Sequence, residues 1–286
     1  MLPWYFAKAT FFDSIAQHEK IFMDKVKAKK SLGQHFLKDL NIAKKIAESV
    51  NISSVDEVLE IGPGMGVLTQ YLLELPYPKI SAIEIDTESV AYLQHHFKQE
   101  KFRLLEGDFL KMDLNILFPN SFALAGNFPY NISSQIMFKV LDYRDKIPQV
   151  VGMFQKEVAE RFAAKPGGKE YGILSVLIQA FYDVEYLFTV HEHVFSPPPK
   201  VKSGVIRVTR KDNIGLDCDE NLFKDVVKTA FNQRRKTLRN SLKKFNIPDE
   251  AIEQTEFAKL RPEVLSVADF VKLTLLVEEH DRKQSR

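Results

Sequence analysis

Residues 57–69 read "EVLEIGPGMGVLT", a pattern that indicates a strand, a tight turn and a helix in succession. A short apolar run, typical of a buried strand, ends at Gly62, Gly64 and Gly66, and a helical pattern follows. Glycines at such a turn let the backbone pass close to a ligand, and the start of a helix favours electronegative groups. The spacing G-x-G-x-G matches neither the dinucleotide motif G-x-G-x-x-G nor a P-loop. The turn predicts a nucleotide-type ligand, although an ordinary strand-to-helix turn would also suit it.

Further short apolar runs follow at 79–86, 103–108, 122–127 and 149–154. Segments with helical periodicity separate them, such as 87–98, where Val90, Leu93 and Phe97 share one face. Strands that alternate with helices predict a mostly parallel sheet covered by helices, that is, an α/β fold. Two later runs, 183–190 and 204–210, alternate between apolar and polar residues, and we expect them to form an antiparallel pair at the sheet edge.

The character of the chain changes after Lys211, where a polar linker leads into helical segments. Asp219 is suited to cap the first helix, and Ser266 with Asp269 predicts a capping-box start for the last. We therefore expect an α/β domain over residues 23–210 and a small all-helical domain over 211–286. Residues 1–22 form an aromatic-rich extension, and Met23 is an alternative start of the protein.

The composition limits which cellular compartment the protein can occupy and which disulfides or metal sites it can form. Of 286 residues, 45% are hydrophobic and 27% charged, as in ordinary soluble domains, and the net charge is only +2. The single cysteine, Cys218, excludes an intramolecular disulfide and a metal site built on cysteines. No apolar run approaches the roughly 18 residues that a membrane helix needs. We therefore expect a cytoplasmic protein with no bound metal.

Polar side chains stand at the ends of three further predicted strands. Glu84 ends the second, 22 residues after Gly62, where a carboxylate can accept the hydroxyls of a ribose. Asp108 ends the third and Asn127 the fourth. Ligands of open α/β sheets bind outside the carboxyl ends of the strands. The sequence therefore predicts a nucleotide-type cofactor site along this rim.

The fourth strand runs into "NFPY", residues 127–130. The exocyclic N6 of adenine is a poor nucleophile, because its lone pair is delocalised into the ring. The Asn127 side-chain oxygen and the Phe128 backbone carbonyl could accept both N6 hydrogens, and Pro129 restricts the backbone so that this carbonyl stays aimed. Tyr130 offers a face for a purine taken out of its stack. On this interpretation the ring of Phe128 matters less than its carbonyl.

Basic residues cluster in two places. Six of the eleven residues from Arg234 to Lys244 are basic and none is acidic, with Arg234, Arg235, Lys236 and Arg239 among them. A second cluster precedes "GQHFL" and includes Lys29 and Lys30. Such clusters neutralise phosphates, so both are predicted to bind RNA.

The chain resembles class I S-adenosylmethionine-dependent methyltransferases and, more narrowly, the ribosomal RNA adenine N6-dimethyltransferase family. The resemblance runs from about Lys25 to Phe270. It is carried by an ordered set of motifs: "KKSLGQHFL" (29–37), "EIGPGMG" (60–66), "GNFPYNIS" (126–133), "FQKEVAERF" (154–162), "YGILSV" (171–176), "VFSPPPKVKSGV" (194–205) and "AFNQRRKTLRNSL" (230–242).

The resemblance implies a Rossmann-like methyltransferase domain, a helical RNA-binding domain and S-adenosylmethionine as the methyl donor. It implies cofactor contacts at these positions: His35, Leu37, Gly62, Glu84, Asp108 and Asn127. It also implies that Phe195 closes on the target base opposite Tyr130. Two departures are His35, where many members have Asn, and Phe128, where N-L-P-Y is common.

The activity implied is dimethylation of N6 in two adjacent adenosines near the 3′ end of small-subunit (16S) ribosomal RNA. The partner would be the small ribosomal subunit, with a role in its biogenesis, and the protein would act as a monomer. Three alternatives stay open: a resistance-type methyltransferase of large-subunit (23S) RNA, a DNA adenine methyltransferase, and a noncatalytic assembly factor on the same scaffold.

Overall fold

A computed structural model describes residues 26–284. The predicted extension, residues 1–22, therefore lies outside the described part of the chain, as does Met23. Within residues 26–284 the chain forms nine strands: β1 Phe36–Leu37, β2 Glu57–Ile61, β3 Lys79–Glu84, β4 Phe102–Glu106, β5 Ala123–Asn127, β6 Gln149–Gln155, β7 Tyr182–Val190, β8 Phe195–Ser196 and β9 Ser203–Arg210.

Seven of the strands build one sheet in the order β4-β3-β2-β5-β6-β9-β7. The strands β4, β3, β2, β5 and β6 run parallel, as the alternating sequence pattern predicted. Strand β9 is antiparallel to both β6 and β7, so the predicted antiparallel pair at the edge is confirmed. Because β9 pairs with β6, the later strand of the pair lies inside the sheet and β7 forms the edge.

The two short strands β1 and β8 form a separate antiparallel pair. Phe36 lies opposite Ser196 and Leu37 opposite Phe195. The backbone N–H of Lys38 extends the ladder by donating to the Val194 carbonyl at 2.8 Å. This pair connects the segment before the first helix to the loop before β9, across 156 to 160 residues of chain.

Eleven α-helices complete the described residues: α1 Leu40–Glu48, α2 Thr69–Leu72, α3 Thr87–His96, α4 Leu114–Leu117, α5 Ser133–Asp142, α6 Lys156–Ala163, α7 Ile173–Gln179, α8 Glu220–Asn232, α9 Leu238–Ser241, α10 Asp249–Glu253 and α11 Val267–Gln284. Asp219 caps α8 by accepting from the Leu222 N–H at 2.7 Å, as predicted. The capping box of α11 is also present, because Ser266 and Asp269 each bond the other's backbone N–H. None of these helices is long and apolar enough to cross a membrane.

The largest buried cluster joins the sheet to the carboxyl-terminal helices. Phe154 and Phe162 belong to the same apolar cluster as Phe223 and Phe270, and all four side chains are fully buried. Helix α8 packs on α7, and α11 packs on α8. The carboxyl-terminal helices therefore pack both against one another and against the α/β part, within one apolar cluster.

Candidate active site

One pocket lies at the carboxyl ends of β2, β3 and β5. Every residue predicted to bind the cofactor lines it: His35, Leu37, Gly62, Gly64, Glu84, Asp108 and Asn127. Phe128, Pro129 and Tyr130 line the same pocket. Parallel strands deliver these groups to one rim, and the segment before α1 forms the opposite wall. The fold thus brings together residues that are up to 95 positions apart in the sequence.

The glycine turn after β2 has the backbone that glycine permits. Gly62 and Gly64 have φ of +66° and +56°, in the left-handed region that other residues seldom occupy. A Cβ on Gly64 would lie 2.8 Å from Cε1 of Phe36, which is too close. The turn therefore needs glycine at position 64 both for its conformation and for the close approach of the Phe36 ring.

Glu84 is locked into place by backbone groups. Its carboxylate accepts from the N–H of Gly64 at 3.0 Å, of Ile85 at 2.8 Å and of Asp86 at 2.9 Å. Burial raises the pKa of this carboxyl, while the three hydrogen bonds oppose the rise. A carboxylate has about four acceptor positions, so about one is left for a ligand in the pocket. Glu84 joins the glycine turn to the end of β3.

Glu60 is a pocket residue that sequence reasoning missed. It precedes the glycine turn on β2, its side chain is buried, and Oε2 accepts from the Thr69 hydroxyl at 2.6 Å. Burial raises the pKa of Glu60 to about 8. The available signal was an acidic residue between the apolar Leu59 and Ile61 of the strand, two residues before the first glycine.

The amide of Asn127 is oriented by the chain itself. Its Nδ2 donates to the backbone carbonyl of His35 at 3.0 Å. Because this bond uses the nitrogen side of the amide, Oδ1 is the atom left to accept from a ligand. Next to it, the N–H of Phe128 donates to the Met153 carbonyl at 3.2 Å. Within residues 26–284 no hydrogen bond reaches the Phe128 carbonyl, so two acceptors stand side by side at the end of β5.

The ring of Phe128 has a structural task. It is 1% exposed and lies over the backbones of Gly126 and Gly152. A Cβ on Gly126 would come within 2.6 Å of the ring, and one on Gly152 within 2.3 Å. The ring also meets Phe154 edge to face, with centroids 5.1 Å apart. The expectation that this side chain matters less needs refining, because the buried ring fixes the residue whose carbonyl faces the pocket.

Tyr130 is held at both ends of its side chain. Its hydroxyl forms a 2.6 Å hydrogen bond with Ser203 on β9, and its ring stacks against His35 at 5.5 Å and 28°. The His35 ring is fixed in turn, since Nδ1 lies 2.8 Å from the Pro197 carbonyl. Because a carbonyl can only accept, this nitrogen carries the proton. His35 and Ser203 therefore position Tyr130, and the second of these was not predicted.

Phe195 does not line the pocket. Its ring is 1% exposed and packs in a cluster with Leu37, Val190 and Val205. In this arrangement Phe195 does not face Tyr130, and its closing on the target base, implied by the resemblance, stays a prediction. Pairing of β8 with β1 turns the ring into the core, and the aromatic ring found against Tyr130 is His35.

The predicted RNA-binding residues differ in their surroundings. Lys29 lies against Asp86 and is 3.1 Å from Glu88, and Arg239 contacts Asp249 at 2.8 Å and also Glu253. Arg234 donates to the Lys169 carbonyl at 2.9 Å. Lys30, Arg235 and Lys236 are exposed, and none of them has a carboxylate within 4.0 Å in the described part of the chain. Over the same residues no group of three His, Cys, Asp or Glu could hold a metal ion.

Solved structures share this fold. A dimethyladenosine transferase from Plasmodium falciparum superposes with a TM-score of 0.75 at 29% identity, covering 87% of this chain and 98% of that one. The 23S rRNA methyltransferase ErmE gives a TM-score of 0.63 at 24% identity, covering 85% and 99%, and shows the fold alone. The predicted class I methyltransferase fold is thereby confirmed.

Sequence comparison narrows the family. The chain is 61% identical over 257 residues to "Ribosomal RNA small subunit methyltransferase A" of Flavobacterium johnsoniae, covering 90% of this chain and 98% of that protein. The protein of the same name from Parabacteroides distasonis is 60% identical over 263 residues, covering 91% and 97%. The model of the family "Ribosomal RNA adenine dimethylase" matches residues 25–277. By these matches and by its fold, the chain belongs to the ribosomal RNA adenine dimethylase family.

Proposed function

We propose that this protein transfers methyl groups to N6 of adenosine in small-subunit ribosomal RNA. The products are two adjacent N6,N6-dimethyladenosines in the hairpin near the 3′ end of 16S RNA. The observation that carries the proposal is the pair of acceptors at the end of β5. Oδ1 of Asn127 and the Phe128 carbonyl match the two hydrogens of one exocyclic amine. The names of the relatives at about 60% identity support the small subunit as the site of action.

The pocket beside these acceptors fits S-adenosylmethionine, which supplies the methyl group as an electrophile when bound. The carboxylate of Glu84 keeps about one acceptor position for a ribose hydroxyl. Gly62 and Gly64 let the backbone approach a ligand, and Ile85, which lines the pocket and is 48% exposed, offers an apolar surface to an aromatic ring. Asp108, Leu37 and His35 complete the proposed cofactor contacts.

The chain's own groups would promote the reaction by positioning the amine. Tyr130 would support the adenine after it leaves its stack. Asn127 and Phe128 would hold both N6 hydrogens and draw the nitrogen lone pair out of the ring plane, towards the donor. No strong base is needed, since the proton displaced from N6 can pass to water. Preorganised acceptors and in-line placement would then account for the rate.

RNA contacts are proposed at the two basic clusters. Lys30, Arg235 and Lys236 are exposed and form no ion pair within residues 26–284, so they can bind phosphates without breaking an ion pair. Lys29, Arg234 and Arg239 are also proposed contacts, but each would have to give up or share a protein partner. We propose further that the protein acts in the cytoplasm as a monomer during small-subunit biogenesis.

Transfer from methyl-labelled S-adenosylmethionine tests the proposal. Small subunits, large subunits and duplex DNA, all lacking the modification, are offered in parallel. We expect label in small-subunit RNA alone. Label only in large-subunit RNA would favour the resistance-type activity, and label only in DNA would favour a DNA methyltransferase. Calorimetric binding of the cofactor without transfer to any substrate would point to a noncatalytic assembly factor.

A further inference from the structure

The Tyr130 hydroxyl is anchored from outside its own motif. Its 2.6 Å partner, Ser203, is 73 residues away in the sequence and is fully buried. Ser203 starts β9 and lies between Gln155 of β6 and Val190 of β7 in the ladder. The anchor therefore belongs to the rigid sheet, whereas Tyr130 belongs to a turn between β5 and α5.

Apart from its hydroxyl, Tyr130 is held at its backbone and by one ring contact. At its backbone, the carbonyl accepts from Ser133 at 3.3 Å. Its ring stacks on His35 with centroids 5.5 Å and planes 28° apart, a contact that contains no hydrogen bond. The bond to Ser203 fixes the far end of the side chain, about 6.5 Å from the Cα in an extended tyrosine.

We infer that Ser203 is a positioning residue for methyl transfer, which sets the tilt of the Tyr130 ring so that a base lying on it meets the acceptors of Asn127 and Phe128. This inference rests on the proposed function and adds to it a residue that touches neither base nor cofactor. Burial raises the pKa of Tyr130, so the phenol stays protonated and can form this hydrogen bond.

A double-mutant cycle tests the inference with Tyr130→Phe, Ser203→Ala and both together. Each single variant removes the same hydrogen bond, so each should lower kcat for RNA methylation by about 2- to 10-fold. The double variant should lose no more than either single variant. The Kd for S-adenosylmethionine should be unchanged in all three, because neither hydroxyl lies in the proposed cofactor contacts.

Thr189→Val provides a matched control. It removes a hydroxyl partner from Tyr186 at 2.8 Å, a pair with the same chemistry outside the pocket. Transfer should be unaffected in this variant. Losses that simply multiply in the Tyr130→Phe, Ser203→Ala double variant, or full activity of Ser203→Ala, would overturn the inference.

A second measurement does not depend on RNA. The tyrosine ¹³Cζ resonance of Tyr130, assigned by its disappearance in Tyr130→Phe, should shift in Ser203→Ala and stay in place in Thr189→Val. An unshifted resonance in Ser203→Ala would contradict the anchor. If the resonance shifts as expected but the wild-type protein methylates no RNA, the proposed function fails while the contact itself stands.

Discussion

At the scale of single residues, the site depends on how Asn127 is turned. A side-chain amide can present either its oxygen or its nitrogen, and sequence alone does not decide between them. The His35 carbonyl, 92 residues away in the chain, takes the nitrogen and leaves the oxygen to the pocket. The identity of the acceptor could be predicted from "NFPY", whereas its orientation depends on a tertiary contact.

Asn127→Ala should abolish methyl transfer, with kcat falling by about 10²-fold or more, as when a preorganised electrostatic contact is removed. RNA affinity should stay within about twofold of the wild type, because the proposed phosphate contacts are elsewhere. Single-turnover transfer and filter binding measure the two effects. Asn115→Ala, on helix α4 outside the pocket, is the matched control and should react normally. Equal turnover by Asn127→Ala would contradict the mechanism.

Phe128→Ala should destabilise the protein by about 3–5 kcal/mol, because it empties the space over Gly126 and Gly152. Phe128→Leu keeps most of that volume and should cost about 1–2 kcal/mol and retain activity. Urea unfolding measures both. The same urea midpoint for Phe128→Ala and the wild type would show that the ring does not support the turn.

The carboxyl of Glu60 predicts a pH dependence of stability. Its pKa rises from 4.5 to about 8 on folding, so its stabilising contribution is full below pH 4.5 and is lost as the pH rises towards 8. Over this window the free energy of unfolding should fall by up to about 1.4 kcal/mol per pH unit. Glu60→Gln should flatten that slope in urea titrations from pH 5 to 8, while the exposed Glu100→Gln should leave it intact. Equal slopes in the wild type and Glu60→Gln would refute the assignment.

At the scale of elements, the sheet could be predicted because each strand carries a continuous or alternating apolar pattern that ends at Gly, Asp or Asn. The β1–β8 pair could not, since two-residue strands have no period. That pair places Phe195 opposite Leu37 in the core, and the ring found against Tyr130 is that of His35. Ser203 was missed for a different reason, because its contact with Tyr130 depends on β9 lying beside β6 in the sheet.

The segment after α8 contains two kinds of basic residue: exposed ones with no carboxylate nearby among the described residues, and ones that form ion pairs, such as Arg239. The double substitution Arg235→Gln, Lys236→Gln should weaken RNA binding, since two phosphate contacts are lost. The slope of the logarithm of the RNA-binding constant against the logarithm of the salt concentration should become shallower by about 1.4–1.8. Binding titrations over a range of salt concentrations measure this slope. Arg239→Gln is the comparison, because Arg239 already contacts Asp249 and Glu253, and its slope should change less. An unchanged slope in the Arg235, Lys236 variant would remove both residues from the interface.

At the scale of the whole molecule, the proposed boundary near residue 210 separates two types of secondary structure but not two cores. Tyr171 meets Phe231 at 6.2 Å between ring centroids, and Phe231 meets Phe270 at 5.8 Å. The sequence indicated the boundary through the change from strands to helices. The sequence could not indicate the shared core, because the apolar face of a helix can be predicted from its period but the surface that packs against it cannot.

The shared core predicts cooperative unfolding. Calorimetry should show a single transition for residues 26–284, and Phe223→Ala in α8 should lower the stability of the sheet domain as well as of the helices. Hydrogen exchange in β5 and β6 reports on the sheet. Two separate transitions, or unchanged protection of β5 and β6 in Phe223→Ala, would mean that the helical part is an independent unit.

We propose that groups at the rim of this sheet promote methylation of N6 of adenosine in small-subunit RNA. The most direct measurement is to react unmodified small subunits with methyl-labelled S-adenosylmethionine, digest the RNA and identify the labelled nucleoside and its position. We expect N6,N6-dimethyladenosine at two adjacent positions near the 3′ end. Label in any other nucleoside, or no label although the cofactor binds, would contradict the proposal.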